Sequence, residues 1–307
     1  MADVVLIQPI AVSAVAMLRR AGLSVHVASD LDLDSLRPHL AEARAVITRN
    51  HGFDASALTA APHLVVIGVH GTGTERIART GAERRGIVIV NTPGTNARAV
   101  AELALALMLA CARDIPEADR AVRLADTGYR DRSKGMELGG RVLGLVGMGH
   151  VARALVPMAH GLGLVVHAIS RHSPPADLVA AGVHPCADLD SLCQIADVIS
   201  LHAIPTDRPL FDARQLARMR RGTILVNTAR GVLIDEAALA SALKSGHLRA
   251  AGLDVTTVEP ITPGSPLFET PGLVLTPHIG GTTEESMERT GQEVACLVLA
   301  ALGLAVQ

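Results

Sequence analysis

Aromatic residues and an excess of either charge are both missing from this chain. Its 307 residues include no Trp, one Tyr and three Phe, so the core must be aliphatic. Binding of nucleic acid by stacking of its bases on aromatic side chains is therefore not expected. Lys and Arg total 28 against 30 Asp and Glu, which gives no basic excess of the kind that binds nucleic acid or an anionic membrane. Neither is expected as a partner.

Metal-ligand cysteine spacing and long apolar runs are missing as well. The four cysteines are Cys111, Cys186, Cys193 and Cys296. Their spacing predicts no metal site and free thiols in a reducing cytoplasm. The longest nearly apolar stretch, 99–112, covers 14 residues and includes Glu102, whereas a membrane span needs about 20. Since the start, Met1-Ala2-Asp3, also lacks the basic region of a signal peptide, we expect a soluble, cytoplasmic protein.

Short β-branched runs alternate with Ala- and Leu-rich stretches, which is typical of parallel sheets built from βα units. The chain is longer than one hydrophobic core usually supports, so two domains are expected. The predicted strands of the first domain are 4–7, 25–28, 45–48, 64–69 and 87–90. The six predicted strands of the second, doubly wound domain are 142–146, 164–169, 198–201, 223–227, 251–255 and 273–275.

Three helices frame this pattern. Residues 11–21 are predicted to form the first crossover helix, and Gly22 provides its stop. A long helix over 96–113 is expected to carry the chain into the second domain. The last helix is predicted over 284–302.

A glycine-rich loop follows the strand 142–146 and opens an Ala-rich helix. It reads Gly147-Met148-Gly149-His150-Val151-Ala152. The first glycine permits a tight turn, the second lets backbone amides approach a pyrophosphate at the positive helix terminus, and alanine is an accepted variant in the third position. By itself the pattern also fits an ordinary turn, but together with the segments described below it predicts a dinucleotide site.

The strand after this loop should end in Asp or Glu if NAD is preferred, because a carboxylate there binds the ribose 2′-hydroxyl. It ends instead in Ser170-Arg171-His172-Ser173. Without the carboxylate a 2′-phosphate is not repelled, and Arg171 supplies a guanidinium for it. We therefore predict NADP(H) over NAD(H). The alternative is that Arg171 stacks on adenine while NAD binds through main-chain atoms.

Three segments in the last third of the chain place an arginine, a glutamate and a histidine in order. They are Asn227-Thr228-Ala229-Arg230-Gly231, Asp254-Val255-Thr256-Thr257-Val258-Glu259-Pro260 and Thr276-Pro277-His278-Ile279-Gly280-Gly281. A permanent cation can hold the carboxylate of a 2-keto acid and polarise its ketone, an imidazole can exchange the hydroxyl proton, and a carboxylate can tune the imidazole. This pattern predicts reduction of a 2-keto acid, with Arg230, Glu259 and His278 as catalytic residues.

Together the loop and these segments resemble the D-isomer-specific 2-hydroxyacid dehydrogenases, over essentially the whole chain. The resemblance implies two Rossmann-like, doubly wound α/β domains with a cleft between them. Residues 1–98 and 281–307 would form a flavodoxin-like substrate domain, to which the last helix returns, and residues 99–280 an NAD(P)-binding Rossmann domain. The stretch 99–112 is more apolar than one buried face requires and resembles the family's dimerisation helix. A homodimer is therefore expected, with complete burial inside one subunit as the alternative.

The resemblance also implies residue roles. The residue matching Arg230 pairs with the substrate carboxylate, and the one matching Asp254 contacts the nicotinamide carboxamide. Glu259 matches a glutamate that favours the protonated imidazole of His278. The implied cofactor-binding residues are Gly147, Met148, Gly149, His150, Val151, Ser170, Arg171, His172, Ser173, Thr206, Thr228, Ala229, Arg230, Asp254, His278 and Gly280. The implied substrate-binding residues are Arg49, His70, Gly71, Thr72, Gly73, Arg230 and His278.

Departures from the family pattern bear on the substrate. Glu75-Arg76 stands where an Asp-Asn pair is common, and Arg49 lies at the matching substrate loop. Two extra guanidinium groups could serve a second anionic group on the substrate, or Arg76 could be an ordinary surface residue. Pro205 comes one position later than in many relatives, which could reshape the cleft wall. Glyoxylate, hydroxypyruvate and related short 2-keto acids are the first candidates.

Two other functions stay open at this point. One is an NAD-dependent enzyme similar to phosphoglycerate dehydrogenase, although the end of the chain at Gln307 predicts none of the regulatory tail of its longer forms. The other is a nucleotide-sensing protein like the family's corepressors, since a fold does not fix function. Formate dehydrogenase activity is disfavoured, because that branch typically has Gln in place of Glu259. We favour an NADP(H)-preferring D-2-hydroxyacid dehydrogenase.

Overall fold

The computed structural model describes residues 2–305 as alternating strands and helices. The strands are β1 (Val4–Leu6), β2 (Val25–Val27), β3 (Ala45–Thr48), β4 (Val66–Val69), β5 (Val88–Asn91), β6 (Val142–Val146), β7 (Val165–Ile169), β8 (His184–Pro185), β9 (Val198–Leu201), β10 (Ile224–Asn227), β11 (Ala250–Leu253) and β12 (Leu273–Leu275). The α-helices are α1 (Val12–Arg20), α2 (Leu33–Leu40), α3 (Ala55–Ala60), α4 (Arg79–Arg84), α5 (Ala97–Arg113), α6 (Ile115–Arg123), α7 (Tyr129–Arg132), α8 (His150–Gly161), α9 (Pro175–Ala180), α10 (Leu189–Ile195), α11 (Ala213–Arg218), α12 (Glu236–Lys244) and α13 (Glu284–Ala301).

The described chain divides into two compact units, each with its own parallel sheet. Residues 2–96 and 281–305 form the first unit, and Ala97–Gly280 forms the second. The chain thus leaves the first unit two residues before the predicted boundary after residue 98. Two α/β units of this kind confirm the predicted fold class. Assignment of substrate binding to the first unit stays a prediction.

The sheet of the first unit has the strand order β2-β1-β3-β4-β5. Strands β1, β3 and β4 are buried along their whole length, as expected when helices cover both faces of a parallel sheet. The C-terminal helix α13 packs on α1 and β4. A Cβ on Gly68 in β4 would lie 2.8 Å from a Val298 methyl and 3.0 Å from a Val294 methyl, so this glycine allows the close approach of α13.

The sheet of the second unit has the order β12-β11-β10-β9-β6-β7-β8, with all neighbours parallel. The order reverses between β6 and β9, and doubly wound sheets bind ligands at the carboxyl ends beside such a reversal. The prediction of six strands is wrong by one, because the edge strand β8 was not predicted. A two-residue His-Pro segment carries no β-branched run, and proline is tolerated there because the strand lies at the edge.

Most predicted element bounds agree with the structure within two residues. Strands β3, β6, β9 and β12 have the predicted bounds, and the first helix ends before Gly22, whose φ is 85°. Strand β11 ends two residues earlier than predicted, because it covers Ala250–Leu253 instead of 251–255. Asp254 and Val255 therefore lie beyond the strand, in the loop that leads to Glu259.

Helix α5 contains the stretch 99–112 that is predicted to form a dimer interface. Among its buried residues, Ala104, Leu107 and Met108 belong to the core of the second unit. Leu109 is a large hydrophobic residue of α5 that is exposed at the surface, with 37% of its area accessible. Dimerisation through this helix stays a prediction. No helix of residues 2–305, α5 included, combines the length and the apolar character that crossing a membrane requires.

Candidate active site

The predicted functional residues of the second unit lie at one edge of its sheet. They follow the carboxyl ends of five strands: Gly147 follows β6, Ser170 follows β7, Thr228 follows β10, Asp254 follows β11 and His278 lies three residues beyond β12. Because the strands are parallel, these ends share one edge, where doubly wound sheets bind their ligands.

The glycine loop after β6 has the shape that a dinucleotide site requires. Gly147 has a φ of 98°, and a Cβ there would lie 2.6 Å from the carbonyl oxygen of His202, so a larger residue does not fit. No side chain caps the start of α8, and a Cβ on its N-cap residue Gly149 would meet no atom within 4 Å. The first amides of α8 therefore have room for the pyrophosphate of a dinucleotide.

A buried hydroxyl in the loop after β10 also fits a ligand. Thr228 is 8% exposed, and its Oγ1 has no hydrogen-bond partner among residues 2–305. Buried polar groups are rarely left unpaired, so a bound ligand at this edge would supply the missing partner. The hydroxyl of Thr206, another predicted cofactor-binding residue, donates to the carbonyl oxygen of Arg208 at 2.7 Å.

The segment after β7 brings in an arginine that sequence reasoning missed. Ser170 Oγ accepts hydrogen bonds from the amides of Ser173 and His172 at 3.0 and 3.3 Å. Arg153, the fourth residue of α8, donates from Nη2 to Ser173 Oγ at 3.2 Å. This guanidinium therefore lies beside the segment that carries Arg171. The one feature of the sequence that could have indicated this role is that Arg153 lies in a predicted helix shortly after the glycine loop.

A neutral histidine lies behind the glycine loop. His202 donates its backbone N–H to the Val146 carbonyl at 2.8 Å, and its ring Nε2 is 3.0 Å from Ser200 Oγ. Burial lowers the pKa of His202 to about 4, because removal from water disfavours the charged ring. This histidine therefore places no positive charge beside the glycine loop near neutral pH.

The loop that carries Arg230 is held from two sides. Asn227 at the end of β10 donates from Nδ2 to the Arg230 carbonyl oxygen at 2.8 Å and accepts the Ala229 amide at 3.0 Å. A Cβ on Gly231 would overlap the backbone of Thr256. The absence of a side chain at Gly231 thus allows this loop to lie directly against the loop after β11. Neither supporting residue was predicted.

Glu259 and His278 form the pair that the family resemblance implies. The Nδ1 atom of His278 is 2.8 Å from Oε2 of Glu259, and the other carboxylate oxygen accepts the Thr256 amide at 3.2 Å. The side chains of His278 and Glu259 are 33% and 22% exposed, so solvent or a small molecule can reach them. Pairing through Nδ1 leaves Nε2 as the ring nitrogen that can act on a ligand.

Asp254 binds the loop that carries His278. Its Oδ1 accepts Thr276 Oγ1 at 2.6 Å and the Ile279 amide at 2.8 Å, and its Oδ2 accepts the Gly280 amide at 2.9 Å. The predicted cofactor residue Gly280 is thus tied to Asp254. Contact between Asp254 and a nicotinamide carboxamide stays a prediction.

In the first unit, both arginines considered for substrate binding contact backbone carbonyls. Arg49 donates from Nη1 to Pro9 at 3.2 Å, and Arg76 from Nη1 to Asn50 at 2.9 Å. His70 is 8% exposed, and its Nε2 has no partner among residues 2–305. Burial and then the charge of Arg49 lower the pKa of His70, so this ring is neutral near neutral pH. A ligand contact from these three residues stays a prediction.

The glycine-rich loop of the first unit is attached to the end of β5. The amide of Gly71 donates to Thr92 Oγ1 at 2.9 Å, and Asn91 Nδ2 donates to the carbonyl oxygen of Thr72 at 2.8 Å. Gly71 has a φ of 138°, a conformation that favours glycine. Substrate binding by Gly71, Thr72 and Gly73 stays a prediction.

The part of the chain that the structure describes contains no cluster of three or more His, Cys, Asp or Glu arranged to hold a metal ion. The four cysteines are free. Burial raises the pKa of Cys111 to about 12 and that of Cys193 to about 11. Both are therefore uncharged thiols at neutral pH and poor nucleophiles.

Comparison with known proteins identifies relatives of both units. A family profile described as "D-isomer specific 2-hydroxyacid dehydrogenase, NAD binding domain" matches residues 105–280, more than half of the chain. A D-3-phosphoglycerate dehydrogenase of Mycobacterium bovis is 40% identical over 274 residues, which cover 88% of this chain and 51% of that relative. A hydroxypyruvate reductase of Thermotoga maritima is 38% identical over 280 residues, covering 89% of this chain and 90% of the relative.

A solved structure extends the similarity to the whole fold. A crystal structure of a protein from Thermus thermophilus superimposes with a TM-score of 0.88 at 35% identity, covering 98% of this chain and 96% of that one. The chain spans about half the length of the phosphoglycerate dehydrogenases it matches, but most of the length of the Thermotoga relative. The chain belongs to the D-isomer-specific 2-hydroxyacid dehydrogenase family.

Proposed function

We propose that this chain is an NADP(H)-preferring D-2-hydroxyacid dehydrogenase that reduces short 2-keto acids. The observation that carries this proposal is the 2.8 Å contact between His278 Nδ1 and Glu259 Oε2. The pair lies at the same sheet edge as the glycine loop. A histidine that is oriented by a carboxylate, at the sheet edge that also carries such a loop, is suited to moving a proton during a redox reaction.

In the proposed reaction His278 is the general acid. Glu259 accepts from Nδ1–H and so fixes the ring orientation, and Nε2 donates a proton to the ketone oxygen. Arg230 binds the substrate carboxylate with its planar guanidinium and polarises the adjacent ketone. A nicotinamide cofactor, which the glycine loop after β6 and the segment after β7 would hold, would supply the hydride for the keto carbon. The product is a D-2-hydroxy acid, and the reverse transfers oxidise it.

Glyoxylate and hydroxypyruvate are the substrates that we propose first. The Thermotoga maritima relative, named hydroxypyruvate reductase, supports this class of short 2-keto acid. The decisive test is a panel of glyoxylate, hydroxypyruvate, sulfopyruvate and oxaloacetate, each with NADPH and NADH. We expect turnover of at least one acid and a higher kcat/KM with NADPH. Tight NADPH binding without turnover of any of them would favour a nucleotide-sensing protein, and a clear preference for NADH would contradict the proposed cofactor.

The proposed preference for NADP(H) rests on the residues around the end of β7. The strand is followed by Ser170 and the exposed Arg171 instead of a carboxylate. Arg153, through its bond to Ser173, adds a second guanidinium. A 2′-phosphate carries close to two negative charges and would gain charge-assisted hydrogen bonds from both arginines.

Removing these guanidinium groups should weaken NADPH use selectively. We expect Arg171→Gln and Arg153→Gln each to raise the KM for NADPH by roughly 10-fold or more, because a charge-assisted hydrogen bond contributes about 1.5–3 kcal/mol. The KM for NADH should change little, since that cofactor has no 2′-phosphate. Steady-state kinetics with both cofactors measure the effect.

The matched control is Arg214→Gln, which removes an exposed guanidinium from α11 in the same unit. We expect its two KM values to equal those of the wild type. If both arginine variants at the end of β7 raise the KM for NADH as much as that for NADPH, the effect is not on the 2′-phosphate and the assignment is wrong.

A further inference from the structure

The backbone of the His278 loop adopts a conformation that its residues do not favour by themselves. His278 has a φ of 54°, in the left-handed region that side chains with a Cβ rarely occupy. The imidazole nevertheless has to keep one orientation if Nδ1 is to stay 2.8 Å from Glu259. Contacts from outside the loop must therefore hold this backbone in place.

Asp254 supplies such contacts on both sides of His278. Its carboxylate accepts Thr276 Oγ1 on the N-terminal side and the amides of Ile279 and Gly280 on the C-terminal side, at 2.6, 2.8 and 2.9 Å. Its carbonyl oxygen accepts the amide of His278 itself at 2.8 Å. One residue thus binds every part of the loop 276–280 apart from Pro277, which has no N–H to offer.

The surroundings of Asp254 make this arrangement rigid. Asp254 is 2% exposed, so water does not compete for its oxygens. Its own amide donates to the Asn227 carbonyl at 2.9 Å, which joins it to the end of β10. An ionised carboxylate offers about four acceptor positions, and the loop uses three of them.

We propose that Asp254 is a positioning residue for His278: it fixes the loop 276–280 so that the imidazole meets Glu259. This inference rests on the proposed function, in which His278 transfers the proton. Asp254 would then affect the chemical step through the loop, without itself touching the reacting atoms. If Asp254 instead contacts a nicotinamide carboxamide, a different result is expected, because replacing Asp254 would then weaken cofactor binding.

Asparagine at this position is a sharp probe. In Asp254→Asn an NH2 group replaces one of the two oxygens, and this group cannot accept a hydrogen bond. In place of Oδ2 it would lose the bond from Gly280, and in place of Oδ1 it would lose those from Thr276 and Ile279. The new NH2 group would then face another hydrogen-bond donor in a buried position, which is unfavourable. Thr276→Val is a milder probe of similar volume, since it removes only the hydroxyl bond to Oδ1. Thr270→Val is the matched control: it removes a 2.7 Å hydroxyl bond to the Pro266 carbonyl in the same unit.

The experiment measures four quantities for each variant: kcat and KM for the 2-keto acid, the Kd for NADPH, and the His278 ring resonances of 15N-histidine-labelled protein without cofactor. We expect Asp254→Asn to lower kcat by about 100-fold, since misplacement of a catalytic group by about 1 Å has an effect of this size. Thr276→Val should lower kcat by roughly 10-fold, since it loses a single hydrogen bond. In both variants the Kd should stay within about 3-fold of wild type, and the Nδ1 resonance should lose the shift produced by a carboxylate partner. For Thr270→Val we expect wild-type values of kcat, KM and Kd and unchanged His278 resonances.

Two results would overturn the inference. One is a kcat close to wild type at saturating NADPH together with a Kd raised at least about 10-fold in Asp254→Asn, as expected for a direct cofactor contact. The other is an unchanged His278 resonance. If Asp254→Asn does not fold, Thr276→Val gives the answer by the same readouts. If the wild type reduces no 2-keto acid, the proposed function fails, while the resonances still decide whether Asp254 positions His278.

Discussion

Replacing His278 with asparagine should lower kcat for 2-keto acid reduction by about 10³-fold, within the range of about 10²–10⁴ that general acid–base catalysis contributes. Asparagine is the informative substitution because the residue has a φ of 54°, and asparagine tolerates left-handed backbone better than most residues. The loop and its bonds to Asp254 are then kept. The variant therefore removes the proton donor with little change to its surroundings.

Single-turnover and steady-state rates with NADPH measure this effect, and the Kd for NADPH provides the necessary comparison. We expect that Kd to stay within a few-fold of wild type. His184→Asn, on the exposed edge strand β8, is a suitable control for the loss of a histidine. A His278→Asn variant that kept kcat would exclude His278 as the acid. A variant that lost NADPH binding along with kcat would indicate a structural role instead.

The sequence was sufficient to locate these residues in the fold because their positions depend on strand ends. Gly147, Arg230 and His278 each follow a short apolar run, and parallel strands bring such positions to one edge. The motif around each residue then distinguished it from the other histidines and arginines. The pairing of His278 with Glu259 was inferred from the family resemblance, and the 2.8 Å contact agrees with it.

The contacts between loops could not be predicted in the same way. Gly231 allows the loop after β10 to lie against Thr256, but a glycine after an arginine carries no information about which loop approaches it. Arg153 reaches Ser173, which lies 20 positions further along the chain. Such contacts depend on the spacing and twist of neighbouring elements, which local sequence patterns do not determine.

The acidic residue Asp254 illustrates the same limit. The sequence places it at the end of a strand, where an aspartate can serve a ligand, a turn or a neighbouring loop. In the folded chain its two oxygens accept three hydrogen bonds from residues 276–280. These partners lie beyond β12 in the chain, so no local rule connects them to Asp254.

Replacing Arg230 with glutamine should have the second large effect, a decrease of kcat/KM by about 10³-fold. The backbone of Arg230 is held by Asn227, whose Nδ2 donates to the Arg230 carbonyl at 2.8 Å, and the side chain donates from Nη1 to the Ala229 carbonyl at 2.7 Å. Loss of one member of a desolvated charge pair costs about 2–5 kcal/mol, and the partner left without its counter-charge would be the substrate carboxylate. Arg230→Lys should recover part of the loss, because it restores the charge but not the planar fork of donors.

The division of this loss between KM and kcat tests the role of the guanidinium. If Arg230 only binds the carboxylate, the KM rises and kcat is kept; if it also polarises the ketone, kcat falls as well. We expect both changes, with the decrease in kcat smaller for lysine than for glutamine. Arg221→Gln is the control, since it removes an exposed arginine from the turn before β10, at the opposite end of that strand. Kinetics of Arg230→Gln equal to those of this control would show that the substrate carboxylate binds elsewhere.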